Sequence, residues 1–474
     1  MRRTTIGLSA LFVVAACQQP STTDPRLVSE LMHTMYGVLR VERVSPPVAS
    51  RVMTYATSAL YSGFASSDLS LRPLTGVLNG FPELPKPARA GDVDGAIVGL
   101  HAKRVVLDTL LREALPTTKA ALARLSDSLE NTRIAAGVSE EARERSAQLG
   151  REIGLAILDW SRGDRFAETR GRLYAAPVGL EYWVNDAPRN VYAQQNVSGA
   201  SEMVAFDNPA NVLQAGKTGD RSLVLNRPKS GGATLPAVNM TGTSEPYWGE
   251  VRPFALSAWN ECRVEEPPAY ATDTTSELYR DAYDVYVTKQ KLSEDNRTTA
   301  LYWADNTGES GTPVGHWLAI AGQMVTQQRL SAADAARLVM LTSVAQADAF
   351  IASWGYKYQF SYIRPRTYIR RLIDSTWEPL IPTPPFPEYP SGHSTQSAAA
   401  AEAVTALLGD VAFDDSTSMM IGHGVRRFES FRAAAEEAGM SRIYGGIHYP
   451  IGNVSGQELG RCIGARAIAR YRGD

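Results

Sequence analysis

The chain has 474 residues, 44% of them hydrophobic and 21% charged, with a formal net charge of -2. This is an ordinary globular composition, and without a basic excess or a basic low-complexity segment it excludes a nucleic-acid binder. At the N-terminus, Met1-Arg2-Arg3 precedes the short apolar run Ile6 to Ala16, a signal-peptide pattern too short to span a bilayer. Residues 1–16 therefore read as a leader and 17–24 as a polar tether. No later stretch approaches about 18 consecutive apolar residues, so the remainder reads as soluble.

Val14-Ala15-Ala16-Cys17 resembles a bacterial lipobox, which implies lipid on Cys17 and an exported, membrane-attached protein. Gln18 follows where an aspartate would favour the inner membrane, so the resemblance implies the outer membrane; the simpler reading is a plain secretory signal. From 25 to 165 the apolar spacing predicts a helical bundle: Leu27 to Leu39, Pro47 to Phe64, Ala96 to Ala114, Ala120 to Ala136 and Ser139 to Ser161. Residues 166–270 change character, with glycine, proline and asparagine spread throughout and no lasting period, and read as an irregular connecting region. A second helical bundle is predicted over 271–474, beginning with Thr274 to Lys291, Glu294 to Ala304 and Pro313 to Gln328. The fold class is all-α, with two packed helical bundles. Once Cys17 is set aside, Cys262 and Cys462 read equally well as a disulfide or as two isolated thiols.

Three clusters in the second bundle carry chemistry. A long helix is predicted from Ala332 to Ile363, and Lys357 and Arg364, two turns apart, leave its same face before Pro365 ends it. The run Pro384 to Pro390 cannot be helical, whereas Ser394 to Leu408 reads as a buried helix. Ser391, Gly392 and His393 therefore fall at a helix start, where free N–H groups and the dipole favour an anion. A further helix is predicted near Ser416 to Ala438, closed by Gly439. Gly445-Gly446 then bends the chain between Arg442 and His448 ahead of a last helix from about Asn453 to Tyr471. Singly, each cluster has a plain reading: a solvated basic face, a capped helix start, a lone core histidine.

Jointly, Lys357-x6-Arg364-Pro365, Pro390-Ser391-Gly392-His393 and Ser441-Arg442-x5-His448 resemble the signature of the type 2 phosphatidic acid phosphatase and vanadium-dependent haloperoxidase superfamily. The segments at Tyr247 to Leu256, Thr312 to Trp317 and Pro384 to Ser394 resemble soluble bacterial haloperoxidase homologues. The resemblance implies that Lys357, Arg364 and Arg442 neutralise the oxygens of vanadate or phosphate. Ser391 and the Gly392 amide would donate hydrogen bonds, His448 would supply the axial nitrogen, and His393 would act opposite as acid/base. It favours vanadate as cofactor, with hydrogen peroxide and halide as substrates and hypohalous acid as product. The same residues would equally serve an acid phosphatase in which His448 becomes phosphorylated. A third reading is a lipoprotein that binds an anion without turnover. The family usually has an aspartate four residues after the final histidine; here that position is Gly452, and Asn453 or a backbone carbonyl is left to orient His448.

Overall fold

The computed structural model describes residues 24, 26–170, 172, 174–186 and 243–474. The leader 1–16, Cys17, the tether up to residue 23 and most of the region 166–270 lie outside the described residues. What is described is mostly helical. The first half contributes α1 (Arg26–Glu42), α2 (Pro46–Ala65), α3 (Gly95–Leu110), α4 (Pro116–Ala135), α5 (Glu140–Arg162) and the short α6 (Phe166–Thr169). The second half contributes α7 (Glu277–Gln290), α8 (Glu294–Tyr302), α9 (Thr312–Gln327), α10 (Ala332–Phe360), α11 (Pro365–Leu372), α12 (Gly392–Leu408), α13 (Phe431–Tyr444) and α14 (Pro450–Arg472).

Serine caps account for many of the starts. Ser139, Ser276, Ser293, Ser331, Ser391 and Ser430 each accept a hydrogen bond from the backbone N–H three residues on, satisfying a donor that the helix itself leaves unpaired. The central element is α10, which packs against α2, α9, α12 and α14. By length and composition it could cross a membrane, but its neighbours bury it inside the fold. Leu338, Leu341, Phe350 and Trp354 are all at most 2% exposed, and burying side chains of this size stabilises by about 1.5–3 kcal/mol each. One apolar cluster runs from Leu27 to Tyr471, so the two helical groups share a continuous core. Along α14, a Cβ at Gly460 would lie 2.1 Å from the carbonyl oxygen of Thr395, and only glycine lets the helix approach α12 that closely.

Two sequence expectations are corrected. The long helix stops at Phe360, where Ser361 turns into the left-handed region at φ 47°, and Arg364 becomes the extended residue preceding α11. Pro365 opens this short helix rather than ending the long one, because proline in a first turn gives up only an N–H that had no partner there. The helix expected over Ser416 to Ala438 is borne out only from Phe431 onward; before it lies an antiparallel pair of short strands, β1 (Phe413–Asp415) and β2 (Arg426–Phe428), around a 3-10 turn at Thr417–Ile421. Gly422 leaves that turn at φ 90°, and the true helix, α13, continues through Gly439 to Tyr444.

The described part of the connecting region is tied down. Asp348 on α10 accepts the backbone N–H groups of Phe254, Ala255 and Leu256 at 2.6, 2.7 and 2.9 Å, which fixes the segment singled out in the sequence against the central helix. Cys262 and Cys462 form a disulfide that joins this region to α14.

Candidate active site

The ends of α8, α10 and α13 and the start of α12 surround a cavity of about 80 Å³. Its polar wall includes Asp305, Gly392, His393, Arg442 and His448, and its apolar wall includes Pro46, Phe350, Trp354, Pro384 and Phe386. Lys357, Arg364 and Ser391 stand behind that wall. The Lys357 Cε lies 3.7 Å from where a Cβ on Gly392 would sit, and Nη1 of Arg364 is 3.1 Å from Nε2 of His448.

The orientation of His448 comes from a residue the sequence did not single out. Nδ1 of His448 lies 2.7 Å from Oε1 of Glu388, and the same oxygen accepts the backbone N–H of Tyr449 at 3.0 Å. A carboxylate acceptor places the proton on Nδ1, and Nε2, facing a guanidinium donor, carries the lone pair. Gly452 makes this possible: a Cβ there would stand 2.2 Å from Oε1 of Glu388. The carboxylate that the family usually takes from the position four residues after the histidine therefore enters from the proline-rich run. Asn453 is not the orienting group, since its Oδ1 accepts from the hydroxyl of Ser394 at 2.7 Å.

Cations surround this imidazole. Lys357 donates to the carbonyls of Pro387, Glu388 and Pro390, and burial pushes its ammonium well below the usual lysine range, with Arg364 beside it acting the same way. Arg364 donates to the carbonyls of Phe386 and Ile447 at 3.0 and 2.7 Å. Arg442 donates to its neighbour Ser441 at 2.9 Å and to the carbonyl of Trp303, and burial lowers it to about 10. Burial holds His448 well below its ordinary value, with Arg364, Lys357 and Arg442 adding to the effect, and burial raises Glu388 to about 7. Lys357, Arg364 and Arg442 are buried with the carboxylates of Glu388 and Asp305, an excess of basic groups that suits an anionic guest. Ser391 caps α12 and lies 2.7 Å from the hydroxyl of Ser394.

His393, one residue into α12, faces the same space from the other side. Its Nε2 makes no hydrogen bond among the described residues and lies 3.8 Å from Oδ2 of Asp305. Burial, then the neighbouring Arg442, lowers it to about 4. Of the seven expected oxyanion-site residues, Gly392, His393, Arg442 and His448 reach the cavity wall, whereas Lys357, Arg364 and Ser391 buttress it. Sequence reasoning missed Glu388 and Asp305. Glu388 lay inside the quoted proline-rich run, but the signal for it was the glycine at 452.

An all-α fold with His393, Arg442 and His448 brought to one cavity resembles the haloperoxidase class. Residues 337–473 match the VCPO second helical-bundle domain, so this part of the chain carries a vanadium haloperoxidase family domain. It is 25% identical over 411 residues to the vanadium chloroperoxidase of Curvularia inaequalis, the match covering 78% of this chain and 61% of that enzyme's length. Among solved structures, a bacterial vanadium-dependent iodoperoxidase superposes with a TM-score of 0.77 at 28% identity, covering 94% of this chain and 97% of the other. A bacterial vanadium-dependent chloroperoxidase in its holo form superposes with a TM-score of 0.63 at 14% identity, covering 96% of each chain, and shares the fold.

Proposed function

We propose that the protein binds vanadate and oxidises halide with hydrogen peroxide, releasing hypohalous acid. The observation that carries this reading is the placement of His448. Its Nδ1 proton is held by Glu388, and its Nε2 lone pair faces Arg364 with the charges of Lys357 and Arg442 nearby, a set of residues that would hold a tetrahedral oxyanion. Vanadate fits these residues, and when bound it supplies Lewis-acid activation of hydrogen peroxide toward halide. The chain's own part is electrostatic and protonic. Arg442 and the amide end of α12 would hold the oxygens, and Arg364 and Lys357 would add positive charge from behind the wall. Nε2 of His393, which makes no hydrogen bond among the described residues, would take up and return a proton at the cavity. The likeness to an iodoperoxidase at 28% identity supports iodide as the first halide to offer. The lipobox supports attachment to the cell envelope through Cys17, on the outer membrane.

The test divides metal-free protein lacking its lipid into two parts, one loaded with vanadate. Peroxide-dependent oxidation of iodide or bromide only in the loaded part, suppressed by added phosphate, is the expected result. Efficient hydrolysis of an aryl phosphate by the metal-free part, inhibited by vanadate and without halide oxidation in the loaded part, would instead establish the phosphatase, with His448 as nucleophile.

A further inference from the structure

Behind the cavity lies a third histidine, one that the proposed reaction does not use. His316, in the second turn of α9, is fully buried, and both its ring nitrogens face carboxylates. Nδ1 lies 3.0 and 3.1 Å from the two oxygens of Asp305, and Nε2 lies 2.8 Å from Oδ2 of Asp415. An imidazole with an acceptor at each nitrogen is satisfied only as the cation, since the neutral ring has one donor. Its partners are themselves fixed. Asp415 accepts from the Tyr302 hydroxyl at 2.7 Å and from the Thr417 backbone at 2.9 Å, and Trp303 stacks on the His316 ring at a centroid distance of 4.5 Å. Asp305 sits just beyond α8 with a left-handed φ of 48°, a conformation aspartate tolerates better than most residues. Burial opposes the charge on His316, but Asp305 and Asp415 outweigh it and raise the ring to about 10.

Asp305 is also the carboxylate nearest His393, yet its Oδ2 stays 3.8 Å from Nε2, beyond hydrogen-bonding distance. We propose that His316 is a positioning residue: held as an imidazolium between Asp305 and Asp415, it draws the Asp305 carboxylate back from His393 and leaves Nε2 of His393 free to exchange a proton with the molecule in the cavity. Released from His316, the carboxylate would close from 3.8 Å to a direct hydrogen bond on His393. The base would then be charged before any substrate arrived. Among the described residues, the charged and titratable groups facing this arrangement include Tyr36, Tyr302, Asp305, Asp415, His393 and Arg442, with Arg426 and His423 against the ring of Tyr302.

The proposal rests on the haloperoxidase reading only for the reaction served, so its test is made on ligand-free protein. With its six histidines labelled with nitrogen-15, the wild-type spectrum at pH 8 should show one ring, assigned by its loss in His316→Gln, with both nitrogens protonated; a neutral His316 at that pH overturns the proposal. In His316→Gln, the titration midpoint of His393 should rise by at least about one pH unit, a tenfold gain in proton affinity, and the further change Asp305→Asn should remove the rise. A midpoint that stays or falls in His316→Gln rejects the restraint. Should that variant not fold, Asp415→Asn carries the test: it should lower the midpoint of His316, and an unchanged midpoint counts against the clamp. In vanadate-loaded protein, the acid limb of iodide oxidation should follow the His393 midpoint. Absence of halide oxidation in the wild type would remove the haloperoxidase reading and leave the spectral outcomes to judge the clamp.

Discussion

Replacing Glu388 by glutamine should weaken vanadate binding by about five- to thirtyfold, overlapping the range expected when a group orienting a ligating histidine loses its charge. The structure sets the size. Oε1 of Glu388 accepts two bonds, from Nδ1 of His448 at 2.7 Å and from the Tyr449 backbone at 3.0 Å. Bonds to a charged acceptor contribute about 1.5–3 kcal/mol and neutral ones about 0.5–1.5 kcal/mol, so glutamine keeps the shape and forfeits about 1–2 kcal/mol at the imidazole. Gly452 supplies the control. In the wild-type background Gly452→Asp should fail, since its Cβ would stand 2.2 Å from Oε1. With Glu388→Ala the space opens, and the double variant should recover most of the affinity that Glu388→Ala loses. Calorimetric titration of vanadate into metal-free protein reads the four variants against wild type. Binding by Glu388→Gln within twofold of wild type, or a Gly452→Asp single variant that folds and binds normally, would refute the assignment of Glu388.

Other outcomes follow from the same coordinates. His316 has a folded-state value raised to about 10 against an ordinary 6.5, so the stability it adds is fully present below pH 6.5 and lost as pH rises through 10. Urea melts of wild type and His316→Gln should therefore differ more at pH 6 than at pH 10. Replacing Cys262 and Cys462 by serine should cost about 2–5 kcal/mol in thermal or denaturant melts, since the bridge closes a loop with a sequence separation of 200 residues. Cys17→Ala should move the protein from the membrane to the soluble fraction of expressing cells; equal solubility of both forms would discard the lipid anchor.

Much of the fold was legible because helix signals are local. The serine that caps a helix and the apolar spacing that buries it lie within a turn or two of each other, as at Ser139 and Ser331. Pro365 was misread because proline marks a helix start as readily as a stop, and the hairpin at Phe413 to Phe428 because its two short strands hold each other only through pairing across the turn. The oxyanion residues were legible for a different reason. Lysine, arginine and histidine at fixed spacings have chemistry before they are folded, whereas Glu388 and His316 acquire theirs only from burial and from partners far along the chain. Glu388 meets His448 across 60 residues, and His316 meets Asp415 across 99. No periodicity reports such pairings. The glycine at 452 did report one of them: a histidine that must present one nitrogen needs an acceptor on the other. Where the expected carboxylate is replaced by a residue with no side chain, the space it vacates must be filled by a group of the same chemistry. An acidic residue lodged in an apolar, proline-rich run that cannot form a helix, as Glu388 is, is the first place to look.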